Sequence, residues 1–367
     1  FLVAAVATVT LFKRINVSPV IGYLVAGAFI GPYGAGIIAD TASVRGLAEL
    51  GVVFLMFAIG LELTLKRLAT MRSQLFGLGT AQFVASGVAL GGAAYAYGLD
   101  ARAAIIIGAA LALSSTAIVL QLLGEKGEIV ARAGRVALAI LLFQDLAVVP
   151  LIVLVPQLGA AGGGIIAALG IALVKAVLVL AVIMVVGRVV LRPLFRVIAA
   201  RRTPELLVGL SLLVILGAGF ATEKAGLSLA LGAFLAGLLV AETEFRHQVE
   251  ADMAPFRGIL LSLFFMTVGM SVDFTLLASA GPLIGFVVAG ILVLKALTIT
   301  GVGLMFRLPL GLALRQGFLL AESGEFAFIL FAMAGTAGLI DPNTGRILVL
   351  AVTLTMMLTP LLAVLGR

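Results

Sequence analysis

The chain of 367 residues is 63% hydrophobic and 11% charged, with a formal net charge of +7, where a soluble domain carries about 25% charged residues. These proportions exclude an ordinary globular domain and identify an integral membrane protein. Cysteine is absent and His247 is the single histidine, which excludes a disulfide framework, thiol catalysis and a cysteine or histidine metal centre. With no cofactor ligand or nucleophile constellation left, neither an enzyme nor a bound cofactor is expected.

Scanned with a window of about 20 residues, the sequence predicts thirteen helices, near 1–12, 17–36, 45–63, 72–98, 102–122, 130–156, 162–190, 204–222, 225–241, 256–272, 277–306, 310–338 and 343–365. Long apolar runs containing Gly and Pro point to an all-α polytopic membrane protein, since barrel strands would alternate over about 10 residues. The first segment opens at Phe1 without an initiator Met, which reads as a trimmed N-terminus. The stretch 162–200 ends at Pro193 and a basic cluster, taken as a cytoplasmic exit. Of the 24 Lys and Arg, only Arg45, Arg102, Lys224 and Arg346 follow even-numbered helices, and Lys175 and Lys295 lie within helices. The others, among them Lys13, Arg14, Lys66, Arg67, Arg72, Arg188, Arg192, Arg196, Arg201 and Arg202, follow odd-numbered ones. The positive-inside rule then sets the N-terminus outside and the C-terminus in the cytoplasm. Topology and contact with membrane lipid account for the net charge without a nucleic-acid partner.

An internal repeat underlies this order. Displacement by 209 or 210 residues sets Gly22, Ala26 and Gly27 on Gly232, Ala236 and Gly237, and the run FLMFAIG ending at Gly60 on LFFMTVG ending at Gly269. Repeat one covers about 1–156, a linker helix about 162–190 and repeat two about 204–365. An odd number of helices separates the copies, so the second is inverted in the membrane, as in transporters that hold substrate between crossed, interrupted helices. Chance similarity among Gly/Ala/Leu-rich helices is the competing account.

Asp145, preceded by Gln144, stands in the middle of the apolar sixth segment. An intramembrane carboxylate is costly without a partner or ligand, and a Gln-Asp pair offers one charge and one neutral oxygen to a monovalent cation or a proton. Ser114, Ser115 and Thr116 interrupt the fifth segment, and displacement of Thr116 by 209 residues falls on Glu325 in the run AESGEFAF of the twelfth. Glu322 lies in the same run. Unwinding at both places would bring half-helix ends together at mid-membrane, although Ser and Thr clusters also serve as interhelical hydrogen-bonding glue. Lys295, within the eleventh segment, either pairs with Asp145 or Glu325 as a structural ion pair or acts as a charge switch. Lys175, alone in the linker helix, is assigned to snorkelling or lipid contact.

The strings SSTAIVLQLL, LLFQDLAVVPL, EFRHQVEADMAPFRGILLSLFFMTVGMSVDF and GEFAF resemble the transmembrane domain of Kef-type potassium efflux systems, in the second branch of the monovalent cation:proton antiporters. The resemblance covers nearly the whole chain. It implies a thirteen-helix fold with a dimerisation bundle and a mobile core bundle, a homodimer in the bacterial inner membrane, and elevator-like exchange of K+ for H+. It matches Asp145 and Gln144 to the ion-binding pair, Ser114, Ser115 and Thr116 to the first helix break, Glu325 to the second and Lys295 to the core lysine. Ion binding is therefore expected of Asp145, Gln144, Ser114, Ser115 and Thr116, and charge compensation in the core of Lys295, Glu325 and Glu322. It also matches residues 244–255 to a regulatory cytoplasmic loop, with His247 beside the acidic positions Glu250 and Asp252; without it, that segment is a solvated charged loop. Members of this family usually continue into a cytosolic nucleotide-binding regulatory domain, and this chain stops at Arg367. A sodium/proton antiporter of the same fold is the alternative within the class. A ligand-gated potassium channel is a more distant one, because the intramembrane charges cluster at one depth rather than lining a path.

Overall fold

The computed structural model describes residues 19–38, 42–62, 71–159, 165–199, 203–224 and 229–366. The predicted helix 1–12, the cations Lys13, Arg14, Lys66, Arg67, Arg201 and Arg202, and the side chains of Arg45, Lys175 and Arg188 lie outside the described residues. The described helices are α1 (Pro19–Ile30), α2 (Ala42–Glu62), a π turn (Gln74–Leu78) running into α3 (Gly79–Ala96), α4 (Ala101–Ala112), α5 (Thr116–Glu125), α6 (Arg132–Gly159) and α7 (Ile165–Val186). A second π turn (Gly187–Leu191) leads to α8 (Arg192–Ala199), followed by α9 (Pro204–Lys224), α10 (Leu229–Ala241), α11 (Arg246–Met270), α12 (Phe274–Met305), α13 (Leu310–Leu319), α14 (Phe326–Thr336) and α15 (Pro342–Leu365). Among the described residues eight helical segments are long and apolar enough to cross a membrane, with four shorter apolar helices beside them. The chain is a multi-pass membrane protein.

Local sequence explains where these helices start. Asp100 accepts from the backbone N–H of Arg102 at 2.9 Å to open α4. Asp341 accepts from Asn343 and Thr344, both at 3.0 Å, with Pro342 at the first turn of α15. Such caps satisfy the orphan donors of a first turn, and the hydrogen bonds from Thr344 hold the Asp341 carboxyl below the usual carboxylate range. Two elements differ from expectation. The tenth predicted segment begins at Arg246 rather than at 256, so residues 246–255 are helical and not loop. Pairs one turn apart support that extension: Gln248 donates to Asp252 at 3.0 Å and His247 faces Glu250 at 3.8 Å, the spacing at which helical neighbours meet. The chain also continues as helix past Pro193, which lies just after the π turn that joins α7 to α8.

The chain divides into two compact units, residues 1–41, 71–165 and 265–367 in one and 42–70 and 166–264 in the other. In the second unit, Phe57, Phe195 and Phe234 are fully buried, Phe195 stacks on Phe245 with centroids 5.8 Å apart, and α2 lies against α10 through glycine. A Cβ built on either Gly60 or Gly237 would stand 2.9 Å from the other's Cα and would run into the backbone carbonyl of Phe234 or Phe57. The first unit holds an equivalent contact between α1 and α11, where Gly27 meets the Met266 backbone and Gly269 meets that of Leu24. Leu24 and Gly27 become Phe234 and Gly237 on displacement by 210 residues, and Phe57 and Gly60 become Met266 and Gly269 on displacement by 209. Within the first unit the same register recurs: Gly108 of α4 packs on Gly87 and Gly91 of α3, and Gly317 of α13 on Ala296 and Thr300 of α12. Small residues let backbones approach closely in the absence of a hydrophobic driving force between helices in lipid.

Candidate functional site

Both breaks anticipated in the sequence lie in the first unit. Helix α4 ends at Ala112; Leu113 turns extended at φ −71°, ψ 139°, and the Ser115 hydroxyl caps α5 by accepting from Ile118 N–H at 3.3 Å. Helix α13 ends at Leu319, and the chain is non-helical until α14 starts at Phe326. The two unwound peptides cross at Gly324, where a Cβ would stand 2.6 Å from the Ser114 carbonyl carbon, and Gly324 N–H donates to Leu113 O at 2.9 Å.

Two serines stitch the crossing reciprocally. Ser114 Oγ donates to the Leu320 carbonyl at 2.9 Å, and Ser323 Oγ to the Leu111 carbonyl at 2.8 Å. These are one contact twice, since Ser114 and Leu111 become Ser323 and Leu320 at a displacement of 209 residues. Each buried hydroxyl reaches a carbonyl released at the other broken helix.

The charged groups complement the helix ends. Lys295, fully buried on α12, donates to Leu113 O and Ser114 Oγ, both at 3.1 Å, and to the backbone carbonyl of Glu322. It therefore sits where the carbonyl ends of α4 and α13 converge, the end at which a helix favours a cation. Its ammonium bonds backbone there, rather than Asp145 or Glu325. Glu322, also fully buried, accepts from Ser115 N–H at 2.6 Å at the start of α5, and Glu325 stands at the start of α14. Both carboxylates thus occupy helix N-termini, where negative charge is favoured.

Gln144 and Asp145 face this crossing from α6 and are 1% and 2% exposed. The Gln144 oxygen accepts from Ser114 N–H at 2.8 Å, while its amide nitrogen donates to Gln82 Oε1 at 2.8 Å and to Ala112 O at 3.3 Å. Asp145 Oδ1 accepts from the Thr116 hydroxyl at 3.3 Å. Asp145 Oδ2, Glu322 Oε2 and Glu325 Oε2 are buried without a hydrogen-bond partner among the described residues. Three carboxyl groups share the core with one lysine, so full ionisation would leave it two charges negative, an expensive state in a low-dielectric interior. A proton or a monovalent cation at an orphaned oxygen relieves that imbalance.

Helix α14 connects the crossing to a wider space. One turn beyond Glu325, Phe328 and Phe331 line a cavity of about 750 Å³ bounded also by Tyr33, Asp273, Asp341 and Arg346. At the other end of the unit, Arg315 of α13 pairs with Glu128 from the turn after α5.

The structure thus brings together Ser114, Ser115, Thr116, Gln144, Asp145, Lys295, Glu322 and Glu325. The predicted regulatory residues lie in the second unit, His247, Glu250 and Asp252 all on the first turns of α11. Just before them Glu244 pairs with Arg196 at 2.6 Å and Arg192 at 3.3 Å, and the hydrogen bond from Arg196 is the chief reason its carboxyl lies at about 2. Sequence reasoning places Ser323 in the second break but gives it no role, although the displacement that links Thr116 to Glu325 also links Ser114 to Ser323. It also overlooked Gln82, whose signal was a lone amide in an apolar segment with Ser86 one turn further on.

The chain matches the family model described as "Sodium/hydrogen exchanger, transmembrane" over residues 1–364. It is 48% identical to "K(+) efflux antiporter 1, chloroplastic" of Arabidopsis thaliana, a match covering all of this chain and 31% of that protein. It is 41% identical to "Glutathione-regulated potassium-efflux system protein KefC" of Enterobacter sp. (strain 638), covering all of this chain and 59% of that protein. The chain therefore spans less than two thirds of the length of either relative. In three dimensions it is similar to the sodium proton antiporter MjNhaP1 from Methanocaldococcus jannaschii, with a TM-score of 0.68 at 15% identity, over 100% of this chain and 95% of that one. That likeness is one of fold.

Proposed function

The chain belongs to the sodium/hydrogen exchanger transmembrane family, and from that premise we propose that it exchanges potassium for protons, with Asp145 as the group for which the two ions compete. The observation that carries this reading is the Asp145 carboxyl itself, 2% exposed, one oxygen held by Thr116 and the other without a protein partner. That oxygen takes a proton or a dehydrated cation but not both, because each neutralises the same charge. Binding is then competitive, and the two ions cross in opposite directions as the site opens to alternate sides. Gln144 adds no second charge, which favours one-for-one, electroneutral exchange; Lys295 and Glu322 compensate the helix ends. Potassium is preferred to sodium in this reading because both relatives named above carry potassium efflux in their names.

The wider reading comprises two inverted repeats, about 1–156 and 204–365, joined by a linker helix at about 162–190. The equivalent glycine and serine contacts support it. It also comprises a homodimer in a bacterial inner membrane with the C-terminus cytoplasmic, and regulation through His247, Glu250 and Asp252 by a cytosolic nucleotide-binding domain in the longer proteins. The test is proton flux in proteoliposomes driven by gradients of potassium, sodium, lithium and rubidium in turn. Flux with potassium and rubidium exceeding that with sodium and lithium is expected. Flux with sodium alone would reassign the cation, and none with any cation would overturn exchange altogether.

A further inference from the structure

A buried chain of hydrogen bonds runs sideways from the crossing through three helices of the first unit. Gln144 Nε2 donates to Gln82 Oε1 at 2.8 Å, Gln82 Nε2 donates to Ser86 Oγ at 3.1 Å, and Ser86 Oγ meets Thr298 Oγ1 at 2.9 Å. Thr298 in turn donates to Leu294 O at 2.8 Å or to Lys295 O at 3.1 Å, on the helix that carries Lys295. Gln82 and Ser86 are fully buried, so neither has water as a substitute partner.

The chain has a direction. Thr298 donates to a helix carbonyl and so accepts from Ser86; Ser86 then accepts from the Gln82 amide nitrogen, which leaves the Gln82 oxygen facing Gln144. A side-chain amide is the group that fits there, because the pocket presents one N–H donor, from Ser114, and two acceptors, Gln82 Oε1 and Ala112 O. The reverse amide orientation would set N–H against N–H and oxygen against two oxygens. A carboxylate at 144 would face both acceptors with no proton to offer. Gln82 thus decides which end of Gln144 meets the Ser114 peptide, and that peptide leads directly into Thr116, the hydroxyl on Asp145.

We propose that Gln82 is a positioning residue that locks the Gln144 amide onto the first unwound peptide and thereby sets the cation preference of the Asp145 site. The inference rests on the exchange reading of Asp145. With the amide pinned, the spacing between the Thr116 hydroxyl and the Asp145 carboxylate is held. Released from Gln82, Gln144 rotates, the 113–115 peptide relaxes, and the site contracts around a smaller ion. Potassium suffers more than sodium. A purely structural role for the chain, as glue between α3 and α12, would lower stability and leave cation preference alone.

The experiment measures apparent KM for potassium and for sodium, and the maximal rate, in proteoliposomes of wild type, Gln82→Leu, Ser86→Ala, Gln144→Ala and the double variant Gln82→Leu/Gln144→Ala. Loss of one intramembrane hydrogen bond is expected to raise the potassium KM about three- to tenfold in Gln82→Leu, with a smaller change for sodium and a maximal rate close to wild type. Ser86→Ala should move the same ratio in the same direction by less, and it carries the test if Gln82→Leu does not fold. In the double variant the Gln82 change should add nothing to Gln144→Ala, because it acts through that amide. An unchanged potassium-to-sodium KM ratio in both Gln82→Leu and Ser86→Ala, or additive effects in the double, would overturn the inference while leaving exchange intact. Wild-type vesicles without cation-driven proton flux would instead overturn the exchange reading beneath it.

Discussion

Two crossings in this molecule are built in the same repeat register and solve the same problem differently. In the second unit α2 and α10 meet at Gly60 and Gly237, where each glycine lies against the other helix's backbone and all main-chain polar groups remain inside intact helices. In the first unit the peptides meet at Ser114 and Ser323, where both helices are open: hydroxyls, the Gln144 amide nitrogen and an ammonium donate to the freed carbonyls, and the Gln144 amide oxygen accepts from the freed Ser114 N–H. The dry crossing holds its helices together by shape. The polar crossing brings the buried Asp145, Glu322 and Lys295 together with the half-buried Glu325, the arrangement on which the proposed exchange of a proton for a cation rests. What separates a joint from a site is therefore the broken backbone, and the side chains there follow from it.

The comparison predicts different consequences for damage on each side. The largest loss of stability belongs to Lys295→Met, which removes three hydrogen bonds from an ammonium: about 3–5 kcal/mol, since hydrogen bonds to a charged group contribute about 1.5–3 kcal/mol each. Thermal unfolding in detergent measures it, and a midpoint equal to wild type would mean that the helix ends need no cation. Next come Gly237→Val and its counterpart Gly27→Val, each costing about 1–3 kcal/mol through overpacking. Only the second lies in the unit that carries Asp145. Gly237→Val should therefore lower the unfolding midpoint and leave the potassium KM unchanged, and a changed KM would break the distinction between joint and site. The smallest effects are those of Ser114→Ala and Ser323→Ala, about 0.6 kcal/mol each and at most about 1.7, the range of interhelical hydrogen bonds in membranes. Ser114 also accepts from Lys295, so its substitution should cost slightly more. A much larger effect for Ser323 would show that the two contacts are not equivalent.

Much of this arrangement was legible in the sequence because lipid leaves few alternatives: apolar length marks the spans, and a carboxylate at mid-span marks the site. The repeat register was legible from glycine, since Gly27, Gly60, Gly237 and Gly269 are required by backbone approach and leave no choice of side chain. The side chains at the polar crossing were legible only in part. Thr116 and Glu325 stand out as poor helix interiors, but Lys295 in the sequence is simply a charge seeking a carboxylate, and that it bonds carbonyls at two helix ends follows only from the unwound geometry. Gln82 was hidden for a related reason, because one amide in an apolar helix has no stated partner until α6 is packed against it. The start of α11 was misjudged because Pro255 and a run of charges resemble a loop, whereas pairs at helical spacing carry the helix through them.

The central claim is the proposal that the two exchanged ions compete for Asp145. The most direct measurement is potassium-driven proton flux in proteoliposomes of Asp145→Asn beside wild type, with thermal unfolding of both in detergent. The amide is nearly isosteric and removes a buried charge, so the variant should unfold at or above the wild-type temperature, with proton flux no greater than that of protein-free vesicles. A folded variant that still exchanges potassium for protons at the wild-type rate would contradict the account.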